Sequence, residues 1–304
     1  VDELVAALDA AGADVGETAC DATATLLASF DGRLHHAGLR LELHEGGAVR
    51  ELLLASSDSS PAARLAWDGP PPRLAPDLPR GPFGARVAGP LAERALLPLV
   101  EVASRRRDVV VRDRRGKAVV HVAIHAEPAV LAPGSDEAPR LPRTVVEVHG
   151  VRGHAGRREA TSALLAAHDL APAEGGLLDL SLAALDRSPA GFSSSPTVPL
   201  DPSASALDGF RAVLRNLLTT IDANLPGTLD DLDPEFLHEL RVAVRRTRSV
   251  LAEGKKVLPA DVRTSMREGF GQLQATTGRT RDLDVYVLGW DELVASLDGV
   301  DREA

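Results

Sequence analysis

The stretch FLHELRVAVRRTRSVL, residues 236–251, sets a histidine and four arginines among regularly spaced aliphatic side chains. At about 100° per residue, Leu237, Leu240, Val244, Thr247 and Leu251 fall on one stripe, the pattern of a helix with a single core-facing side. The segment is therefore expected to be helical. Asp233 is the expected N-cap with Pro234 at the first helical position, and Gly254 is the expected stop. His238, Arg241, Arg245 and Arg248 lie within about 80° of one another on the same wheel, bordering the core stripe rather than opposing it. Like charges one turn apart repel by about 0.2–0.5 kcal/mol per pair, so something outside this helix must compensate them.

Two compensating partners are consistent with the sequence: carboxylates on a neighbouring helix, for which Asp282 and Asp284 of GRTRDLDV are candidates, or a bound polyanion. Linked phosphates suit the second case, because guanidinium forks take phosphate oxygens two at a time and a repeating anion can follow a row of cations. The whole chain carries a net charge of −10, which argues against nucleic acid as a partner, since such binding relies on a broad positive surface. Between His238 and Arg281, however, ten basic residues face four acidic ones. The basicity is local.

Working outward, residues 206–304 read as helices almost throughout: ALDGFRAVLRNLLTTIDANL, then the arginine helix, then PADVRTSMREGFGQLQATTGRTRDLDVYVLGWDELVASL as one long helix or two shorter ones. Short connections between them predict an antiparallel bundle. Residues 1–187 alternate differently. In LRLELH, Leu39, Leu41 and Leu43 take one face of a strand and Arg40, Glu42 and His44 the other, and RELLLA is expected to pair with it across EGGA. DVVVRD and AVVHVAIH, joined by RRGK, and TVVEVHGV supply further strands, while VDELVAALDAAG and REATSALLAAHD have helical spacing. The class is α+β, with domains expected at 1–187 and 206–304 and a Ser/Pro-rich linker at 188–205. A second Pro-rich stretch, SSDSSPAARLAWDGPPPRLAPDLPRGPFG, is expected to be an irregular insertion in the first domain.

At 304 residues the chain is long enough for two cores. It contains no long uncharged apolar run and no signal-peptide order, so neither a membrane nor export is indicated. The lone Cys20 fits a reducing compartment, and a cytoplasmic protein is expected. The chain opens on Val1 and closes on DGVDREA, and trimming at both ends is expected.

LHELRVAVRRTRSVL followed by GRTRDLDV resembles the signature of the CHAD family, the conserved-histidine α-helical domain, over residues 206–292. The resemblance implies a helical bundle that binds inorganic polyphosphate in a basic groove, with His238, Arg241, Arg245, Arg246, Arg248 and Arg281 at matching positions. It also implies that this chain holds roughly the first of two pseudo-repeated halves. Thr247 stands where that family usually has leucine.

The N-terminal segments FDGRLHHAGLRLELHEGG, RRRDVVVRDRRGKAVVHVAI and RTVVEVHGVRGHAGRREATSALLAAH resemble, in order and pattern, the CYTH or triphosphate-tunnel family, whose fold is a closed antiparallel barrel. Catalysis in such a tunnel needs carboxylates for divalent metal and cations for the triphosphate. The opening Glu-x-Glu-x-Lys motif is absent from these residues. Glu42 stands where a second basic residue is usual, and His149 follows Glu147 where a second carboxylate would complete a metal pair. A degenerate CYTH-like domain is therefore expected, and the function expected for the chain is non-enzymatic polyphosphate binding, extending to targeting to polyphosphate granules. The alternative is a triphosphate or polyphosphate hydrolase using Mg or Mn. His35, His36, His44, His121 and His125 lack companion Cys or a clear third ligand, so no metal site is assigned to them. No P-loop or nucleophile motif is present.

Overall fold

In the computed structural model, residues 1–15, 19–47, 49–56, 61–131, 141–151, 153–168, 170–194 and 197–296 are described. The EGGA turn at Ala48, parts of both Ser/Pro-rich stretches (57–60 and 195–196) and the last eight residues lie outside them. The chain divides into two units, residues 1–92 with 96–191, and residues 93–95 with 192–304.

The first unit is an antiparallel half-barrel. Helix α1 (Asp2–Ala10) precedes β1 (Ala13–Val15) and β2 (Cys20–Ala28). The one-turn α2 (Arg33–His36) leads to β3 (Leu39–Gly46), β4 (Val49–Ser56) and β5 (Pro61–Ala66). Helix α3 (Pro82–Leu91), β6 (Leu97–Arg112), β7 (Ala118–Val130), β8 (Thr144–Gly150), α4 (Ala155–Ala166) and α5 (Leu177–Ala184) complete it. The strand order is β5-β4-β3-β2-β6-β7-β8, with β1 paired to β6, and every pairing is antiparallel. β5 and β8 stand at the two edges, so the closed barrel implied by the resemblance is an open half-barrel in the described residues.

The predicted hairpins form as read. Leu41 pairs with Leu54 and Leu43 with Leu52, and all four are fully buried. Each such side chain contributes about 2 kcal/mol on leaving water. Within the stretch read as an irregular insertion, residues 61–66 instead form an edge strand, and the last three residues of the stretch open a helix that runs from 82 to 91. Pro61 is tolerated because it opens an edge strand, and Ala63 and Leu65 pack onto the core while Arg64 and Ala66 face out. At the far end of the unit, Gly32 and Gly191, both at positive φ, let two backbones touch: a Cβ on Gly32 would sit 2.2 Å from the Ala190 carbonyl oxygen.

The second unit is helical: α6 (Ala206–Leu229), α7 (Pro234–Glu253), α8 (Ala260–Thr276), α9 (Gly278–Leu288) and α10 (Trp290–Ser296). The final segment thus forms three helices rather than one or two. Asp233 caps α7, its Oδ1 accepting the N–H groups of Glu235 and Phe236 at 2.9 and 3.2 Å. Its Oδ2 accepts the Ala95 N–H, and Arg94 of this unit donates to Oδ1. α6 and α7 run antiparallel, since Gly227 near the end of one meets Phe236 at the start of the other, while Gly254 meets Phe210. A Cβ at Gly227 would overlap the Phe236 ring at 2.4 Å, so glycine sets how closely the two helices cross. The predicted core stripe is buried throughout, from Leu237 to Leu251, and Thr247 satisfies its hydroxyl by donating to the Ala243 carbonyl at 2.9 Å. α9 buries no residue and leaves Leu283, Val285, Tyr286, Val287 and Leu288 exposed.

Candidate functional site

The arginines of α7 divide between two sides of the helix. Arg241 and Arg248, seven residues apart, turn toward α8. Arg241 Nη1 donates to the Gln274 carbonyl oxygen at 2.7 Å and to Thr277 Oγ1 at 2.8 Å. Arg248 Nη1 donates to Gln274 Oε1 at 2.8 Å, while its buried Nε has no hydrogen-bond partner among the described residues. Arg281 of α9 reaches back to the Pro234 carbonyl at 3.4 Å. Arg245 and Arg246 are exposed and, with Val213, Leu217, Ser249 and Val250, line an open groove of about 350 Å³ between α6 and α7. His238 is half-buried one turn before Arg241. The single stripe read from the wheel is thus two rows, one fastened to α8 and one open beside α6.

Every acceptor that holds Arg241, Arg248 and Arg281 is a neutral oxygen. Among the described residues none of Arg241, Arg245, Arg246, Arg248 and Arg281 makes an ion pair, and Asp282 and Asp284, the candidate carboxylate partners, make none with them. The hydrogen bonds orient the guanidinium groups and leave their charge uncancelled.

The half-barrel has its own polar cluster, with the opposite electrostatics. The alternating polar positions of β3 are enclosed rather than solvated. Arg40, 10% exposed, is clasped by Glu42 at 2.5 Å and by Asp179 of α5. Glu42 also binds His44 Nε2 at 2.6 Å. These carboxylates hold the Arg40 guanidinium above its ordinary pKa despite the opposing effect of burial, which is the largest single influence. Glu147 on β8 accepts the Leu177 N–H at 2.7 Å through Oε1, while Oε2 lies 3.5 Å from His149 Nε2 and 3.9 Å from His125 Nε2. Burial works to raise the Glu147 carboxyl, but His149, His125 and the Leu177 N–H outweigh it and hold it at about 2. Burial lowers His125 to about 4, against the attraction of Glu147, and Ser104 Oγ lies 3.0 Å from its Nδ1. His121, on the same strand, is exposed, and His35 meets His36 edge to face. Among the described residues no three His, Cys, Asp or Glu side chains are grouped to hold a metal ion.

Asp179, Gln274 and Thr277 were not singled out in the sequence. Asp179 lies 139 residues from Arg40, and only the fold brings them together. Gln274 had one available signal: Gly271, Gln274 and Gly278 recur at helical spacing, a small and neutral row able to face a basic one.

The family model of the CHAD domain matches residues 212–304, which include α7, α8 and α9. No model of the triphosphate-tunnel family matches the half-barrel, whose curled antiparallel sheet is compatible with such a barrel without establishing it. No curated protein matches the chain. Among the described residues no helix is long and apolar enough to cross a membrane.

Proposed function

We propose that the helical region, taken as 206–304, binds inorganic polyphosphate through His238, Arg241, Arg245, Arg246, Arg248 and Arg281, without catalysing its turnover, in the cytoplasm. The observation that carries this reading is the neutral-oxygen hydrogen bonding of Arg241, Arg248 and Arg281. Cations already cancelled by carboxylates would be poor receivers of a polyanion. Cations oriented by amide, hydroxyl and carbonyl oxygens keep their attraction. The CHAD match over the same helices supports the choice of linked phosphates over other anions. Targeting to polyphosphate granules is the corresponding cellular use.

The alternative, a Mg- or Mn-dependent triphosphate or polyphosphate hydrolase in the half-barrel, has less behind it. Arg40 is committed to Glu42 and Asp179, and Glu147 Oε1 to a backbone N–H, so these two groups are already engaged within the fold.

The test is a titration of the full chain with long-chain polyphosphate at about 50 and about 200 mM salt. Wild type is expected to lose at least about tenfold in affinity across that range, because linked phosphates release many counterions together. Arg241→Glu combined with Arg248→Glu should weaken binding by about 100-fold at low salt, two charge-assisted contacts having become repulsive. Salt-independent binding, or a folded double variant that binds like wild type, overturns the proposal.

A further inference from the structure

We propose that Gln274 is a positioning residue that fastens Arg241 and Arg248 together for a polyanion while leaving both charges intact, an inference that rests on the polyphosphate reading above. One residue serves both guanidinium groups: its backbone oxygen takes Arg241 and its side-chain oxygen takes Arg248. Thr277 adds a second neutral acceptor to Arg241, and its own hydroxyl proton is directed to the Leu273 carbonyl at 3.0 Å. The rest of the facing row is bare. A Cβ at Gly271 would come only within 4.0 Å of Arg248 Nε, and one at Gly278 within 3.9 Å of Arg241 Nη1.

The amide is the feature that matters. Arginine has many rotamers, and one held in place before the ligand arrives loses less freedom on binding. A carboxylate at 274 would hold Arg248 at least as firmly, since charged acceptors make the stronger hydrogen bond. It would also place a negative charge between two cations meant for an anion. Glutamine gives the orientation without the cancellation.

Gln274→Glu separates the two effects, because carboxamide and carboxylate have nearly the same shape. In the full chain it should bind long-chain polyphosphate about tenfold more weakly than wild type, with a shallower salt dependence. Gln274→Leu, which removes the side-chain acceptor and adds no charge, should weaken binding about threefold and leave the salt slope unchanged.

Thermal unfolding gives a readout that needs no polyphosphate. At about 50 mM salt, Gln274→Glu should melt above wild type, because the new carboxylate relieves the repulsion between the arginines, and the gap should close toward 1 M salt. Unaltered affinity in a folded Gln274→Glu variant overturns the inference while the polyphosphate reading stands. If wild type itself fails to bind polyphosphate, that reading falls, and the melting comparison alone decides whether Gln274 holds two uncancelled charges: an unchanged melting point and salt response overturn it. Should Gln274→Glu fail to fold, an unchanged affinity in Gln274→Leu overturns it instead.

Discussion

Six arginines of the half-barrel and the two fastened arginines of α7 are held by different chemistry. In the half-barrel, Arg33 of α2 and the strand residues Arg40, Arg50, Arg64, Arg106 and Arg112 each meet an Asp or Glu. On α7, Arg241 and Arg248 meet amide, hydroxyl and carbonyl oxygens. A guanidinium paired with a carboxylate belongs to the architecture, because its charge is spent inside the fold. One bound to neutral oxygens is oriented and still electrically available. Arginine content alone would not separate these two sets of side chains; the nature of the acceptor does, and Arg187 of the first unit, which donates to the Leu99 carbonyl at 2.6 Å, is of the second kind.

The contrast is broken most directly by removing an arginine from each setting. Arg40→Met should destabilise the half-barrel by about 3 kcal/mol, since it strips the counter-charge from the buried Glu42 and from the partly exposed Asp179. Urea unfolding measures this, and a loss under about 1 kcal/mol would place Arg40 among the dispensable surface pairs.

Acid probes the same region more gently. His125 stays neutral in the folded half-barrel down to about pH 4, whereas an unfolded histidine takes its proton near 6.5. The unfolded state therefore binds more protons between these values, and stability falls as pH drops through them. The loss should be roughly 2 kcal/mol between pH 6.5 and 5. Glu147 adds a second loss lower down, between its ordinary value near 4.5 and about 2. His125→Gln should flatten the upper part of the curve, and an unaltered slope would assign it to other groups.

The smallest effect is expected at Arg241. Arg241→Met gives up only neutral hydrogen bonds at a half-buried position, and should cost under about 1 kcal/mol of stability. A loss matching that of Arg40 would erase the distinction between the two regions.

What was legible in the sequence follows the range of the interactions. The β3–β4 hairpin was readable because Leu39, Leu41 and Leu43 alternate within one strand, and α7 because Asp233, Pro234 and its five core positions lie within twenty residues. The strand at residues 61–66 was hidden by its leading proline and by the loop-like composition around it, although Ala63 and Leu65 carry the alternation. α5 was missed because LLDLSLAA is apolar nearly all round and too short to show a helical period. At the candidate site the basic residues were visible, but their acceptors were not. Gln274 carries no charge to mark it and lies 33 residues from Arg241, so its part emerges only when α8 folds back along α7.

The close crossing at Gly227 gives that geometry a further meaning. With no side chain between the backbones of α6 and α7 at Phe236, the helix bearing the arginines is anchored at its start and behaves as a stiff ruler. Seven residues of helical rise separate Arg241 from Arg248, about 10 Å. Gln274 gathers the two guanidinium groups from that backbone spacing onto a single residue of α8, so the ruler sets where the side chains begin and the glutamine where they end.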